Sequence, residues 1–275
     1  MPTHSDSPPP ELIDIGANLT HDSFDADRAQ VIADAQAAGV SHLVVTGSSV
    51  ACSRRAAGLA EEYPGVLTST AGIHPHHASE FDAEAEAAIA ELLSLPQVVA
   101  VGETGLDYFR DFSPRPAQLF SFEQHMALAA ETGLPLFLHQ RDAHQDFLPA
   151  LKAHRDALGP VVVHCFTDTR DALFDYLDLD CHIGVTGWIC DERRGKTLQE
   201  IVHNIPDHRL LVETDAPYLL PRDLKPKPSS RRNEPKYLPH VVQAIARHRR
   251  QDWRHVAQVS SDNARRFFGL DQAPR

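Results

Sequence analysis

The chain has 275 residues, 42% of them apolar and 23% charged, with a formal charge of −12. That length can bury one large core, and the acidic balance excludes sequence-blind wrapping of nucleic acid, which needs a positive footprint. The absence of any run of about 20 apolar residues excludes a membrane-spanning helix.

The first ten residues are polar and proline-rich, with no apolar signal core, so residues 1–10 are expected to be a disordered lead-in. A single domain is expected over residues 11–275. The four cysteines, Cys52, Cys165, Cys181 and Cys190, form no CxxC pair. They are expected to be reduced thiols of a cytoplasmic protein rather than a zinc-thiolate centre.

Eight apolar runs follow in order: Leu12–Leu19, His42–Gly47, Leu67–Pro75, Val98–Asp107, Leu134–Asp142, Val161–Phe166, His182–Gly187 and Leu210–Pro217. Stretches of helical period or composition separate them: Ala26–Ala38, Arg54–Tyr63, Ala83–Leu93, Pro116–Thr132, Ala143–Ala157, Arg170–Leu177 and Lys196–Asn204. Strand and helix alternate at roughly 25 to 35 residues per unit, the rhythm of βαβ crossovers and a parallel sheet. Eight such units predict an α/β protein of the closed (β/α)8 TIM-barrel type. After the eighth run, Pro221–Pro235 is rich in proline, lysine and arginine and too broken for a helix. Two helices are expected to close the chain, over Tyr237–Arg250 and Ser261–Phe268, the second opening on cap-type residues and stopping at Gly269.

Residues with acid–base or metal chemistry gather where these strands end. The third strand supplies His74 and His76, the fourth Glu103, the fifth His139 and Arg141, the sixth His164, and the eighth Glu213 and Asp215. In a barrel the ends converge on one rim, where active sites lie. Any one of these residues alone reads most simply as structural; the same chemistry at five strand ends does not. Imidazole and carboxylate without thiolate suit a divalent ion: Mg2+, Mn2+ or Zn2+. Such an ion polarises a phosphoryl or carbonyl oxygen and activates water, so hydrolysis is the expected reaction class. Glu103, His139, His164 and Asp215 are the expected ligands, and His74, less so His76, is expected to touch substrate. Cys165, adjoining His164, is expected to face the strand–helix layer. Arg231 and Arg232 in the basic loop, with Arg141, would suit phosphates of an extended substrate. Tyr108 and Phe109 are candidates for base stacking or for covering the barrel mouth.

The motifs DIGANLT, TAGIHPH, VGETGLD, FLHQRD, HCFT, IGVTGWICDERRG and ETDAPYLLPRDLKPKPSSRRNEP resemble together the TatD family of metal-dependent deoxyribonucleases, from about Leu12 to Leu270. The likeness is strongest to bacterial members whose first strand carries asparagine, here Asn18, where other relatives place an HxH pair. The resemblance implies a barrel hydrolase with 3′→5′ exonuclease action on single-stranded DNA and also RNA, supported by Mg2+. It implies Glu103, His139, His164 and Asp215 as metal ligands, Glu103 and Asp215 in catalysis, and His74 at the substrate phosphate. Thr104, Gln140 and Asp168 stand where close relatives often have Cys, Cys and Gly, with only local packing expected to change. Asp107 shares a motif with Glu103 but is not expected to be a ligand. A monomer is expected, with no membrane partner. Two other readings remain: a barrel hydrolase of a small amide, ester or lactone, and a non-catalytic scaffold that binds partners.

Overall fold

The computed structural model describes residues 10–271, so the expected lead-in lies, save for Pro10, outside the described residues. Strands β1 (Leu12–Ala17), β2 (Val40–Val45), β3 (Leu67–Ala71), β4 (Val98–Asp107), β5 (Leu136–Arg141), β6 (Val161–Val163), β7 (His182–Val185) and β8 (Leu210–Val212) pair in chain order. All these pairings are parallel. Just past β8 the ring closes on β1: Ala17 and Ala216 form a parallel bridge, and Asp215 N–H donates to Gly16 C=O at 2.9 Å. Helices α1 (Arg28–Ala37), α2 (Val50–Glu62), α3 (Ala83–Leu93), α4 (Arg115–Thr132), α5 (His144–His154), α6 (Arg170–Asp178) and α7 (Lys196–Ile201) connect successive strands. Helices α8 (Leu238–Arg249) and α9 (Trp253–Phe268) follow the eighth strand. The architecture is the expected TIM barrel. No helix among the described residues is long and apolar enough to cross a membrane.

Period-two alternation sorts the strand side chains into two apolar layers. Leu136, Leu138, Val161, Val163, Leu210 and Val212 join the large cluster between strands and helices. Their neighbours Phe137, Val162 and Leu211 belong to a second cluster with Ile13, Ile15, Val44 and Ala100, which fills the barrel. Phe267 and Phe268 of α9 belong to it too, and α9 packs against β1 and β8. On the inner face, each residue two positions beyond Phe137, Val162 and Leu211 is polar: His139, His164 and Glu213. Apolar packing below thus fixes where the polar chemistry begins.

Two differences from the sequence expectation have local causes. Helix α9 starts at Trp253, not Ser261, because Asp252 caps it, accepting from Arg254 N at 2.7 Å and His255 N at 3.4 Å. Ser261, taken for a cap residue, lies inside the helix and donates through Oγ to Glu11 C=O at 2.9 Å. Strands β6 and β8 end earlier than their apolar runs, so His164 and Asp215 stand on backbone just beyond the sheet.

The β1–β8 seam also rests on a buried carboxyl. Asp14 accepts from Thr214 N at 2.9 Å, Thr214 Oγ1 at 2.5 Å and Gly16 N at 3.2 Å, and is fully buried. Asp14→Ala leaves these donors unpaired out of water, which should cost about 3 kcal/mol. Urea unfolding measures it; a loss under about 0.5 kcal/mol, the range of an ordinary surface change, would show that the seam does not depend on this carboxyl.

Candidate active site

Glu103 sits in the middle of β4 because two glycines let the chain press against β5. Gly102 and Gly105 have φ of 136° and 138°, and a Cβ on either would fall 2.3 Å from Phe137 O or 2.0 Å from His139 O. Only glycine satisfies both the backbone angle and the close approach. The carboxylate so placed is 6% exposed, and three imidazoles meet one of its oxygens. His164 Nε2 lies 2.7 Å from Glu103 Oε1, His139 Nδ1 3.2 Å and His74 Nε2 3.4 Å.

The protonation pattern follows from the partners. Burial alone would raise the Glu103 pKa, but the surrounding imidazoles outweigh it and hold the carboxyl well below its usual value. Burial also drives His74 well below the usual imidazole range. Its Nδ1 accepts the His76 backbone N–H at 3.0 Å, so the neutral ring carries its proton on Nε2, facing the site. His164 is pulled the other way: despite burial, Glu213 and Glu103 on its two sides hold its pKa well above normal. The Nδ1 contact to Glu213 Oε2 is 3.3 Å, and the ring stacks on Phe137 at 4.4 Å. Burial opposes a charge on His139 as well, but the carboxylates of Asp107 and Glu103 raise its pKa.

Beside this group, Asn18 Nδ2 donates to Asp215 Oδ1 at 3.0 Å. Burial, with Glu103 and Glu213 nearby, pushes the Asp215 carboxyl up to about 7 even though His164 acts against the rise. Glu213, named at the eighth strand end without a role, and Asp107, not expected as a ligand, stand behind the imidazoles. Glu213 is fully buried and accepts the Cys165 N–H at 2.6 Å besides its contact with His164. Asp107 Oδ2 lies 2.9 Å from His76 Nε2 and 3.3 Å from His139 Nε2. Their signal in the sequence was the two-residue or four-residue spacing from Asp215 and Glu103. Carboxylates behind imidazoles orient the rings and raise their basicity.

Cys165 and Arg232 depart from the sequence expectation. Cys165 does not enter the helix layer. Its backbone, at φ 47°, has left the strand, and its half-buried thiol is kept protonated by burial and by Asp215 and Glu213. Arg232 is engaged by Asp27 (2.8 and 2.6 Å), Glu234 (3.1 Å) and Ser23 C=O (2.6 Å), which ties the basic loop to the start of α1. Arg231 is exposed and Arg141 covers the Phe109 ring at 3.8 Å. Gln140 and Asp168, two of the departures from relatives, pair with each other at 2.9 Å.

The donor set fits a divalent ion. Ligand atoms of His74, Glu103 and His139 lie within 4.8 Å of one another, and His164 Nε2 reaches the same Glu103 oxygen at 2.7 Å. A cation beside Asp215 would displace protons that burial now holds there. Asp14 is likewise pushed up to about 7 by burial, so both carboxyls bind protons more tightly folded than unfolded. Their contribution is full near pH 4 and is lost as pH rises through about 7. Melting temperatures measured with metal and in EDTA read out this linkage. The gap between metal and EDTA samples should widen with pH, because the metal substitutes for the lost protons. A gap independent of pH between about 5 and 8 would contradict this charge arrangement.

A model of the family described as TatD related DNase matches residues 13–269. The chain is 50% identical over 261 residues to the 3′-5′ ssDNA/RNA exonuclease TatD of Musicola paradisiaca, covering 95% of this chain and 99% of that one. Identity is also 50%, over 259 residues, to the protein of that name from Citrobacter rodentium, covering 94% and 98%. Among solved structures, the TatD homologue YJJV of Escherichia coli superposes with a TM-score of 0.85 at 27% identity, covering 94% and 98%. A TatD-family hydrolase of Entamoeba histolytica gives 0.85 at 25%, covering 95% and 99%. The N-acetyl-D-glucosamine-6-phosphate deacetylase of Mycobacterium smegmatis shares the fold at 15% identity, with a TM-score of 0.64 over 96% and 77% of the chains. The match of family model and relatives along nearly the whole barrel leads to one conclusion: the chain belongs to the TatD family.

Proposed function

We propose that this protein is a metal-dependent 3′→5′ exonuclease that hydrolyses phosphodiester bonds of single-stranded DNA and RNA. The observation that carries the reading is the convergence of three imidazoles on one buried Glu103 oxygen at the barrel mouth. Near-full-length identity to exonucleases of that specificity supports the choice of substrate. Glu103, His139, His164 and Asp215 would hold the ion, which we assign as Mg2+, with Mn2+ or Zn2+ as substitutes for the same oxygen and nitrogen donors. When bound, it supplies charge to the phosphoryl oxygens and lowers the pKa of water.

The chain's own groups do the rest. Neutral His74 presents Nε2–H to a non-bridging phosphate oxygen. Asp215, oriented by Asn18, accepts the proton of the attacking water. Glu213 and Asp107 keep the imidazoles turned inward. Arg141 and Arg231 offset phosphate charge further along the strand.

End-labelled single strands incubated with EDTA, Mg2+, Mn2+ or Zn2+ test the assignment: stepwise shortening from the 3′ end in metal and none in EDTA. Absence of cleavage by folded protein in every metal would overturn it. Glu103→Ala should lower kcat/KM by about a thousandfold or more, and Glu213→Gln should weaken metal binding by about 10- to 100-fold. Near-normal turnover in the first variant would remove Glu103 from the centre.

The two loop arginines should separate. Arg231→Ala should raise KM and reduce the salt slope by about 0.7, the value for one phosphate on a single strand. Arg232→Ala should instead lower stability by about 1 kcal/mol as its ion pairs are lost. Identical profiles for the two variants would contradict the division of roles.

A further inference from the structure

The loop that leaves β4 keeps two large aromatic side chains in water. Phe109 is 53% exposed and Phe112 is 68% exposed. Single exposed aromatics are ordinary on a protein surface, but these two stand at the barrel mouth and differ in what covers them. The Arg141 guanidinium lies 3.8 Å from the Phe109 ring centroid, and that of Arg110 lies 5.6 Å away. Phe112 has no such cover. Its ring touches His76 instead, with centroids 4.8 Å apart and planes tilted by 59°. His76 in turn lies 4.2 Å from His74, whose Nε2 faces Glu103, and its own Nε2 is 2.9 Å from Asp107. A continuous series of ring contacts therefore runs from the imidazole at the phosphate position to an open benzyl face at the rim.

We infer that Phe112 is a stacking platform for a nucleobase adjoining the scissile phosphodiester, a role that rests on the nuclease reading above. An aromatic face one ring away from the phosphate contact is within reach of the base that belongs to that phosphate. Every base has a π-face, so this contact adds affinity without reading sequence, as a single-strand exonuclease requires. The rigid ring also costs little conformational entropy to order, since its loop is already held: Asp107 Oδ1 accepts the Arg110 N–H at 2.8 Å and Ser113 Oγ donates to His76 C=O at 3.0 Å. The neighbouring Arg141–Phe109 stack offers positive charge beside the platform, where the strand's next phosphate passes.

The test compares wild type, Phe112→Ala and Phe112→Trp on strands with an intact 3′ end and on strands with an abasic terminal or penultimate nucleotide. Phe112→Ala should raise KM for intact strands by about 5- to 100-fold with kcat little changed, and Phe112→Trp should restore it. The difference between wild type and Phe112→Ala should collapse when the stacked base is missing, which a merely structural role would not produce. In EDTA, 2-aminopurine at the same position should be quenched on binding wild type and Phe112→Trp but not Phe112→Ala. Equal quenching in all three proteins, or an equal KM penalty on intact and abasic strands, would overturn the platform. A strand that is quenched yet never cut in any metal would overturn the nuclease reading and leave the stacking site standing.

Discussion

A carboxylate removed from water is tolerable only where charge or hydrogen-bond donors replace the lost solvent, and most of this barrel's mouth follows from meeting that requirement at Glu103. Three imidazoles meet one oxygen of the side chain, yet three rings cannot all satisfy a single acceptor as ordinary hydrogen bonds. His164 comes within 2.7 Å, while His139 and His74 remain at 3.2 and 3.4 Å. Such crowding of nitrogen lone pairs and one carboxylate is the arrangement a divalent cation relieves. The carboxylates of Glu213 and Glu103 hold the His164 pKa up, and burial carries the Asp215 carboxyl to about 7.

The scaffold makes this crowding possible by simple periodicity. Phe137, Val162 and Leu211 fill the barrel, and the next inward positions on the same strands are His139, His164 and Glu213. The fourth strand departs from this pattern, because the glycines at 102 and 105 change its path beside β5 and carry Glu103 inward. A layer of carboxylates then fixes the rings from behind: Glu213 behind His164, and Asp107 behind both His139 and His76. The orientation of the site thus depends on residues whose exposure is close to zero.

Charge at the rim is divided in the same way between fixing and recognition. The chain is acidic overall, so any attraction for a polyanion must be local. Some of the loop's basic residues are spent on the loop itself: Arg232 holds it to Asp27, and Arg222 pairs with Glu192 at 3.3 Å. Others, such as Arg231, remain exposed. Composition cannot separate the two groups, since an arginine that braces a loop and one that meets a phosphate look alike in sequence.

The sequence by itself determined the barrel and the order of its units, because apolar periodicity and parallel connectivity are local signals with a global consequence; from the same runs it raised Glu103, His139, His164 and Asp215 as expected ligands. It also raised His74 as an expected substrate contact, through the HxH spacing and the family likeness. What only the tertiary structure decided was which long-range pairs form. The sequence left Asp107 without a role, whereas the fold sets it against two imidazoles, His139 of β5 and His76 of the turn after β3. Cys165 followed the alternation rule on paper, yet the strand ends at Val163 and a left-handed residue no longer obeys it. Arg232 was indistinguishable from Arg231 until Asp27, 205 positions away, came into contact with it. Periodicity is written in neighbours along the chain; pairing of charges and protons is settled by distance in space, and that exists only once the barrel has closed.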